Sequence, residues 1–440
     1  MAQFFKPQKK STQLQRIEIT VDSLDHHCVG IGRHQGKAVF VEGALPGERV
    51  KVRLTEDKKQ YAHAVLQQVV SPAENRIVPF CGHYRECGGC NAQHLSGADQ
   101  LAAKQAGLVS LFSRLSNIQA PELAPALAGE SRAYRRVCRL AIKFDKNGRC
   151  TRLGFRRRQS NDLVEIGSCP VLADPLSVLI APLRACLNGL KSQRELGHVE
   201  LIQAEQGVLM LLRHTGRPNE MDRALLLAFA EEHGIDLYLQ AADEQIEALS
   251  QRFAPSYQLD GLALAFAPGD FIQINGGINQ AMVAQAIDWL GVGAGDKVLD
   301  LFCGIGNFTL PLARKAREVV GVEGDLAMVA RATQNAERNG IGNARFYKAD
   351  LSGDIAGMSW AREGFDLVLL DPARPGALAV MEHVVKLSPK RVVYVSCNPV
   401  TLARDSKVLI EGGYRLSQLG MLDMFPHTGH LESMALFELG

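Results

Sequence analysis

The chain has 440 residues, 46% of them apolar and 22% charged, with a formal net charge of +2. That length calls for two or three domains, the apolar share supports sizeable cores, and no biased tract argues for disorder. No run approaches the roughly 18 continuous apolar residues of a membrane span, so a membrane is not an expected partner. The start, MAQFFKPQKKST, lacks the apolar centre of a signal peptide. A reducing cytoplasmic setting is therefore expected, where ten cysteines serve as ligands, nucleophiles or core residues rather than as disulfides.

Residues 1–16 are basic and polar and read as a flexible arm running into a first strand. Between residues 17 and 70, RIEITVDSL, GKAVFVEG, ERVKVRLTED and YAHAVLQQVV alternate as short strands do, punctuated by Gly30, Gly32, Gly36, Gly43, Pro46 and Gly47. About five short strands in so short a stretch predict a small β-barrel, either of the oligonucleotide-binding kind or SH3-like. A cysteine-rich knot follows at 81–90, then a helical pattern at 98–117. Residues 131–270 mix strands and helices in a middle domain. Within it, residues 131–158 hold eleven Lys or Arg against one acid, Asp145, with Tyr134 and Phe155 interleaved. Such an excess reads as a phosphate-binding stripe, with a solvated basic face as the plainer alternative.

From about Pro268 the pattern changes to alternating strand and helix. Strands are expected at Lys297–Leu301, Glu318–Glu323, Ala344–Ala349, Phe365–Leu370 and Arg391–Ser396, with helices at Asn307–Ala316 and Leu326–Asn339. The alternation implies a parallel sheet covered by helices on both faces. The run VLDLFCGIGNF, Val298 to Phe308, is a buried strand, an acid and a Gly-x-Gly turn opening a helix. No third glycine completes a dinucleotide fingerprint, and Asp300 ahead of the turn suits a ligand with a cationic centre. Glu323, about 20 residues on, is placed to take ribose hydroxyls. Asp350 and Asp371 end the next two strands. Four carboxylates at successive strand ends, where open α/β sheets bind ligands, point to a cofactor pocket rather than to helix caps.

The fourth and fifth strand ends read DPARPG (Asp371 to Gly376) and YVSCNP (Tyr394 to Pro399). The first lacks the aromatic residue used in methylating exocyclic amines, which points to a carbon target. Carbon 5 of a uracil is a poor nucleophile until a thiolate adds to carbon 6. That chemistry needs one accessible cysteine and one nearby base. Cys397, ahead of a helix beginning near Val400, is the candidate nucleophile, because a helix N-terminus favours thiolate. A buried strand-end cysteine is the commoner fate of such a residue. The near-terminal run DMFPHTGHLES (Asp423 to Ser433) reads as an irregular loop and offers Glu432 as the base; an edge-strand residue in solvent is the plainer reading. In the knot, Cys81, Cys87 and Cys90 leave a metal centre one ligand short. Cys169, followed by Pro170, is the best fourth candidate, for an iron–sulfur cluster or a structural zinc.

On these motifs the chain resembles bacterial 23S ribosomal RNA (uracil-5-)-methyltransferases of the RlmD (RumA) type. The resemblance spans nearly the whole chain: the barrel, the knot, DLFCGIGN, DPARPG, SCNP and the HLE end. It implies an α/β chain of four parts: a basic arm at 1–9, an RNA-binding TRAM barrel at 10–69, a mixed α+β central domain at 75–267, and a Rossmann-like S-adenosylmethionine-dependent catalytic domain at 268–440. It implies cofactor contacts at Gln273, Phe302, Asn307, Glu323, Asp350 and Asp371, with Asp300 demoted. It also implies Cys397 as nucleophile, Glu432 as proton-abstracting base, and a [4Fe–4S] cluster on Cys81, Cys87, Cys90 and Cys169. The implied partner is 23S ribosomal RNA, met by a monomer. The alternatives are a transfer-RNA uracil-5 enzyme, against which the barrel and knot count, an RNA cytosine-5 enzyme, and a non-catalytic RNA-binding assembly factor, which needs neither Cys397 nor Glu432.

Overall fold

The computed structural model describes residues 15–116, 118, 121–353 and 355–440. The arm expected at 1–9 lies outside the described residues, as do residues 10–14 of the module expected at 10–69. A closed five-stranded barrel comes first: β1 (Arg16–Leu24), β2 (Gly30–His34), β3 (Lys37–Glu42), β4 (Arg49–Asp57) and β5 (Tyr61–Ser71), joined in the order β1-β2-β3-β5-β4. Ile17, Ile19 and Val21 of β1 turn inward and share a core with Val39, Val41, Val50 and Val52. That period of two is the signature of a strand with one buried face.

Helix α1 (Gly97–Ser116) follows the knot and buries Leu108 and Phe112 in a core with Leu301, Trp360 and Leu419 of the C-terminal region. The middle of the chain forms a seven-stranded sheet from β6 (Val137–Asp145), β7 (Cys150–Arg156), β8 (Leu163–Glu165), β9 (Leu196–Gln203), β10 (Val208–His214), β11 (Asp236–Gln240) and β12 (Ile246–Ser250), in the order β12-β11-β10-β9-β6-β7-β8. Helices α2 (Asp174–Ser177), α3 (Ile180–Gly189) and α4 (Glu220–His233) contribute Leu176, Leu183, Leu187, Leu226 and Phe229 to its core. Both ends of α4 are specified locally. The Asn219 side chain accepts from Asp222 N, and Gly234 closes the helix in the left-handed region. A hairpin, β13 (Ser256–Leu259) and β14 (Leu262–Ala265), then buries Tyr257, Leu259 and Leu264 in a core shared with Trp289 and Val298.

After α5 (Gly276–Leu290) come β15 (Lys297–Leu301), α6 (Thr309–Ala313), β16 (Glu318–Glu323), α7 (Leu326–Arg338), β17 (Ala344–Lys348), β18 (Leu367–Leu370), α8 (Leu378–Leu387), β19 (Arg391–Ser396), α9 (Pro399–Glu411), β20 (Tyr414–Leu422) and β21 (Glu432–Leu439). The sheet order is β17-β16-β15-β18-β19-β21-β20. Successive residues of β15 face opposite sides: Val298 joins the core of α5, and Leu299 and Leu301 join that of α8 and α9. The sheet is thus covered on both faces, as the apolar strands require. Two expectations are corrected. The sheet is mixed rather than parallel, because β21 pairs antiparallel with both neighbours. The first helix after the turn is α6, shorter than Asn307–Ala316, because Phe302, Gly304 and Gly306 take φ of 66°, 56° and 95° and hold the chain in a turn up to the helix.

Candidate active site

The parallel strands end on one side of the sheet, and the reversed β21 begins on that same side. Its register with β19 pairs Ser396 with Ser433. The next residues outward, Cys397 and Glu432, therefore stand across from each other at the mouth of the sheet. Asp371 follows β18, the neighbour of β19 on the other side. Glu432 is buried, not the solvated edge residue of the plainer reading, because β21 lies between β19 and β20. Burial pushes its carboxyl up to about 8, with the nearby Asp371 charge adding to the rise and Lys104 opposing it. Burial likewise raises Asp371 to about 7.

The helix after Cys397 forms, starting at Pro399 and capped by Asn398, whose Oδ1 accepts from Val400 N at 3.1 Å. It does not yield a standing thiolate. Burial raises the Cys397 thiol above its ordinary value, Glu432 and Asp371 raise it further, and Arg374 and a backbone hydrogen bond act the other way without cancelling the rise. Burial together with two carboxylates outweighs one helix terminus, which is worth about 0.3–1 kcal/mol in exposed settings.

The same burial sets a pH dependence of stability. A carboxyl whose folded pKa is raised stays protonated in the fold while the unfolded chain ionises, so stability falls as pH rises from about 4.5 to about 8. In the cofactor-free protein, Glu432→Gln removes this term. Its stability relative to wild type is expected to be about 2 kcal/mol more favourable at pH 8 than at pH 6, read by urea denaturation at both pH values. A pH-independent difference would show that Glu432 ionises freely in the fold.

At the Gly-x-Gly turn, Glu323 Oε2 accepts from Gly304 N at 3.1 Å, and Oε1 accepts from Gly324 N at 2.7 Å and Asp325 N at 3.0 Å. Asn307 is fixed by a reciprocal amide pair with Asn279, at 3.0 and 2.9 Å, and by the Tyr257 hydroxyl, which donates to its Oδ1 at 2.9 Å. Phe302 stands half-buried in the left-handed region at the head of the turn. Asp300 lies beneath it, fully buried, accepting from Thr309 Oγ1 at 2.5 Å and pushed up to about 8 by burial. The charges of Asp371 and Glu323 add to that rise. Asp350 stands two residues beyond β17 at an exposed position, where hydrogen bonds from Ser352 hold its carboxyl below the usual range. Gln273 lies in the segment leading into α5, fixed through its carbonyl by Arg136 Nε at 2.6 Å. An acid-lined turn of this form suits a ligand carrying a cationic centre and hydroxyls.

Cys81, Cys87, Cys90 and Cys169 line one cavity of about 180 Å³. Among the described residues, no three His, Cys, Asp or Glu side chains converge closely enough to hold a single metal ion. A cubane spreads its thiolates over four irons, so its ligands surround a volume instead of meeting at a point. The Cys90 thiol is pushed up to about 12, and Cys87 and Cys169 are raised too, by burial first and with other cysteines of the cavity adding to it. Thiolates there call for a compensating cationic centre. Arg158 wraps the knot, donating to the Tyr84, Cys87 and Cys90 carbonyls and lying over the Tyr84 ring at 4.9 Å.

That role takes one residue out of the basic stripe, and packing engages others. Arg158 serves the knot, and Arg136 points inward over Tyr257 at 4.4 Å. Arg139, Lys143 and Arg152 pair with Glu200, Asp162 and Glu165. Arg156 and Arg157, with Arg139 and Phe155, do line a cleft of about 660 Å³ whose far wall is His27 of the barrel and His430 of the C-terminal loop.

A family model described as tRNA (Uracil-5-)-methyltransferase matches residues 97–439, and a TRAM domain model matches 10–66. The chain belongs to the RNA (uracil-5-)-methyltransferase family. The "23S rRNA (uracil(1939)-C(5))-methyltransferase RlmD" of Aeromonas salmonicida (strain A449) is 84% identical over 438 residues, covering 100% of both chains. The protein of the same description from Yersinia enterocolitica is 51% identical, covering 99% of this chain and 98% of its own. The methyltransferase fold is shared with the Pyrococcus abyssi tRNA (uracil-54, C5)-methyltransferase, solved in complex with S-adenosyl-L-homocysteine, at a TM-score of 0.72 and 23% identity, over 96% of this chain and 100% of that one.

Several residues that pack around these side chains carry no motif. Asn279 and Tyr257 fix Asn307 from α5 and β13, and Lys104 acts on Glu432 from α1. The one signal for Asn279 is a polar residue on an otherwise apolar helix face; Tyr257 and Lys104 give none.

Proposed function

We propose that this protein transfers a methyl group from S-adenosylmethionine to carbon 5 of a uracil in 23S ribosomal RNA, the uracil that its curated relatives name as 1939. The observation that carries the reading is the placing of one cysteine and one buried carboxylate across a strand pair, beside an acid-lined turn. The Cys397 sulfur adds to carbon 6, and carbon 5, now enolate-like, takes the methyl group. Glu432 then removes the carbon 5 proton, and the carbon 6–sulfur bond breaks. Glu323 takes the ribose hydroxyls, and Gln273, Phe302, Asn307, Asp350 and Asp371 complete the cofactor site.

Cys81, Cys87, Cys90 and Cys169 would hold a [4Fe–4S] cluster. What supports that assignment is the single cavity that all four cysteines line. Bound there, the cluster supplies a covalent tie between the knot and the start of α2. The target base must be splayed out of its stack, at a cost of about a few kcal/mol, and the cleft between barrel and central domain is the surface offered to the flanking RNA. No helix among the described residues is long and apolar enough to cross a membrane; we place the enzyme in the cytoplasm, acting as a monomer.

The test is incubation of oxygen-free purified protein with methyl-labelled S-adenosylmethionine and 23S RNA lacking the modification. Label is expected at that one uracil, on brown protein carrying iron. Label in transfer RNA and none in 23S RNA would overturn the substrate assignment, and zinc in place of iron the cluster.

A further inference from the structure

The segment that delivers Glu432, residues 423–431, is held largely by residues from the N-terminal part of the chain rather than by the sheet it serves. Lys104 of α1 is fully buried, and its Nζ donates to Asp423 Oδ1 at 2.7 Å and to the Phe425 carbonyl at 3.3 Å. One turn earlier on α1, Gln100 accepts from His427 N at 2.9 Å. From the knot, Asn91 N and Ala92 N donate to the His427 carbonyl at 3.1 and 3.0 Å, and Asn91 Oδ1 accepts from Gly429 N at 2.7 Å. The barrel packs tightly here as well: a Cβ on Gly429 would stand 2.1 Å from the His27 carbonyl oxygen.

A lysine with no exposed surface is costly to bury and persists only where it is paired. In this pair the partner, Asp423, begins the loop, and the catalytic carboxylate ends it. We propose that Lys104 is a positioning residue for the proton-abstraction step, fixing the 423–431 loop so that the Glu432 carboxylate meets carbon 5 of the methylated adduct. The inference rests on the reading of Cys397 and Glu432 given above. In the step it serves, the carboxylate takes the carbon 5 proton, the freed electron pair forms the carbon 5–carbon 6 double bond, and the carbon 6–sulfur bond breaks with its pair returning to Cys397. The charged and titratable groups facing Glu432 are Asp371 from the end of β18, Cys397 from the end of β19 and Lys104 from α1. Lys104 is the cation among them, so it also favours the carboxylate form that the step consumes.

The inference separates two rates that a general loss of structure would lower together. In single-turnover reactions of the full-length holoenzyme with 23S RNA and methyl-labelled S-adenosylmethionine, total label on RNA reports adduct formation and methyl transfer. The share of RNA migrating with protein on a denaturing gel reports the unresolved adduct. Lys104→Met is expected to keep S-adenosylhomocysteine affinity and methyl transfer near wild type, while the adduct persists on the order of 10–100-fold longer, the usual cost of a misplaced catalytic group. Lys104→Arg, which keeps the charge and the donor, should restore most of the resolution rate. Should Lys104→Met fold poorly, Asp423→Asn weakens the same anchor while leaving Lys104 in place, and it too should lengthen the adduct. Wild-type adduct lifetimes in both variants, or equal losses in the two rates, overturn the proposal. Glu432→Gln, run in parallel, keeps the two claims apart. If it traps adduct while the anchor variants resolve normally, only the role of Lys104 falls. If it traps none, the base assignment falls first.

Discussion

Cys397→Ala is expected to abolish RNA methylation, by on the order of 10⁴-fold or more, while the protein still binds S-adenosylhomocysteine with near wild-type affinity. Without a sulfur added at carbon 6, carbon 5 of uracil lacks the electron density to attack the methyl group, and no neighbouring side chain substitutes for that covalent step. Cofactor binding survives because the turn at Phe302–Asn307 and Glu323 is held by its own hydrogen bonds to Gly304, Asn279 and Tyr257. Cys397 lies in the loop after a different strand, β19. The substitution removes one half-buried sulfur at a loop, so a global loss of stability is not expected to obscure the result. Turnover comparable to wild type in the Ala variant would sink the covalent mechanism.

Glu432→Gln should give the opposite kind of failure. Methyl transfer proceeds, but the carbon 5 proton has no acceptor, and a covalent protein–RNA adduct accumulates as a slow-migrating band that resists denaturant. Removing a general base costs about 10²–10⁴-fold in turnover. The pH dependence has a definite sign. Only the carboxylate form can take a proton, and burial and Asp371 raise its pKa to about 8. Adduct resolution by wild type should therefore speed up with pH through the range below 8 and level off above it. A flat profile, or absence of adduct in the Gln variant, would remove Glu432 from the role.

Much of the catalytic domain was legible because its determinants are local. β15, β16 and β19 fall at Lys297–Leu301, Glu318–Glu323 and Arg391–Ser396, as their apolar runs and flanking turns indicate. The Gly-x-Gly turn announces itself because Gly304 and Gly306 adopt positive φ. The barrel was legible from its period-two alternation, since inward residues of a closed sheet must be apolar. The thiol at Cys397 and the acid at Glu432 were each visible as residues in suggestive loops.

Their meeting is a tertiary fact. It depends on β21 running backwards between β19 and β20, a reversal that places the start of the last strand beside the end of the fifth parallel one. No local pattern encodes which neighbour a strand will choose. The placing of charge is tertiary for the same reason. The excess at 131–158 looked like one surface, but packing turned Arg136 inward, set Arg158 on the knot and paired Arg139, Lys143 and Arg152 with acids. The ionisation of Cys397 also reversed, because burial and two carboxylates from other strands outweigh the helix it precedes. Backbone propensity and side-chain chemistry belong to the chain alone, whereas desolvation and pairing arise only once distant segments share one interior. That is why Lys104, some 300 residues before Glu432 in sequence, carries no motif and yet anchors the loop that leads to it.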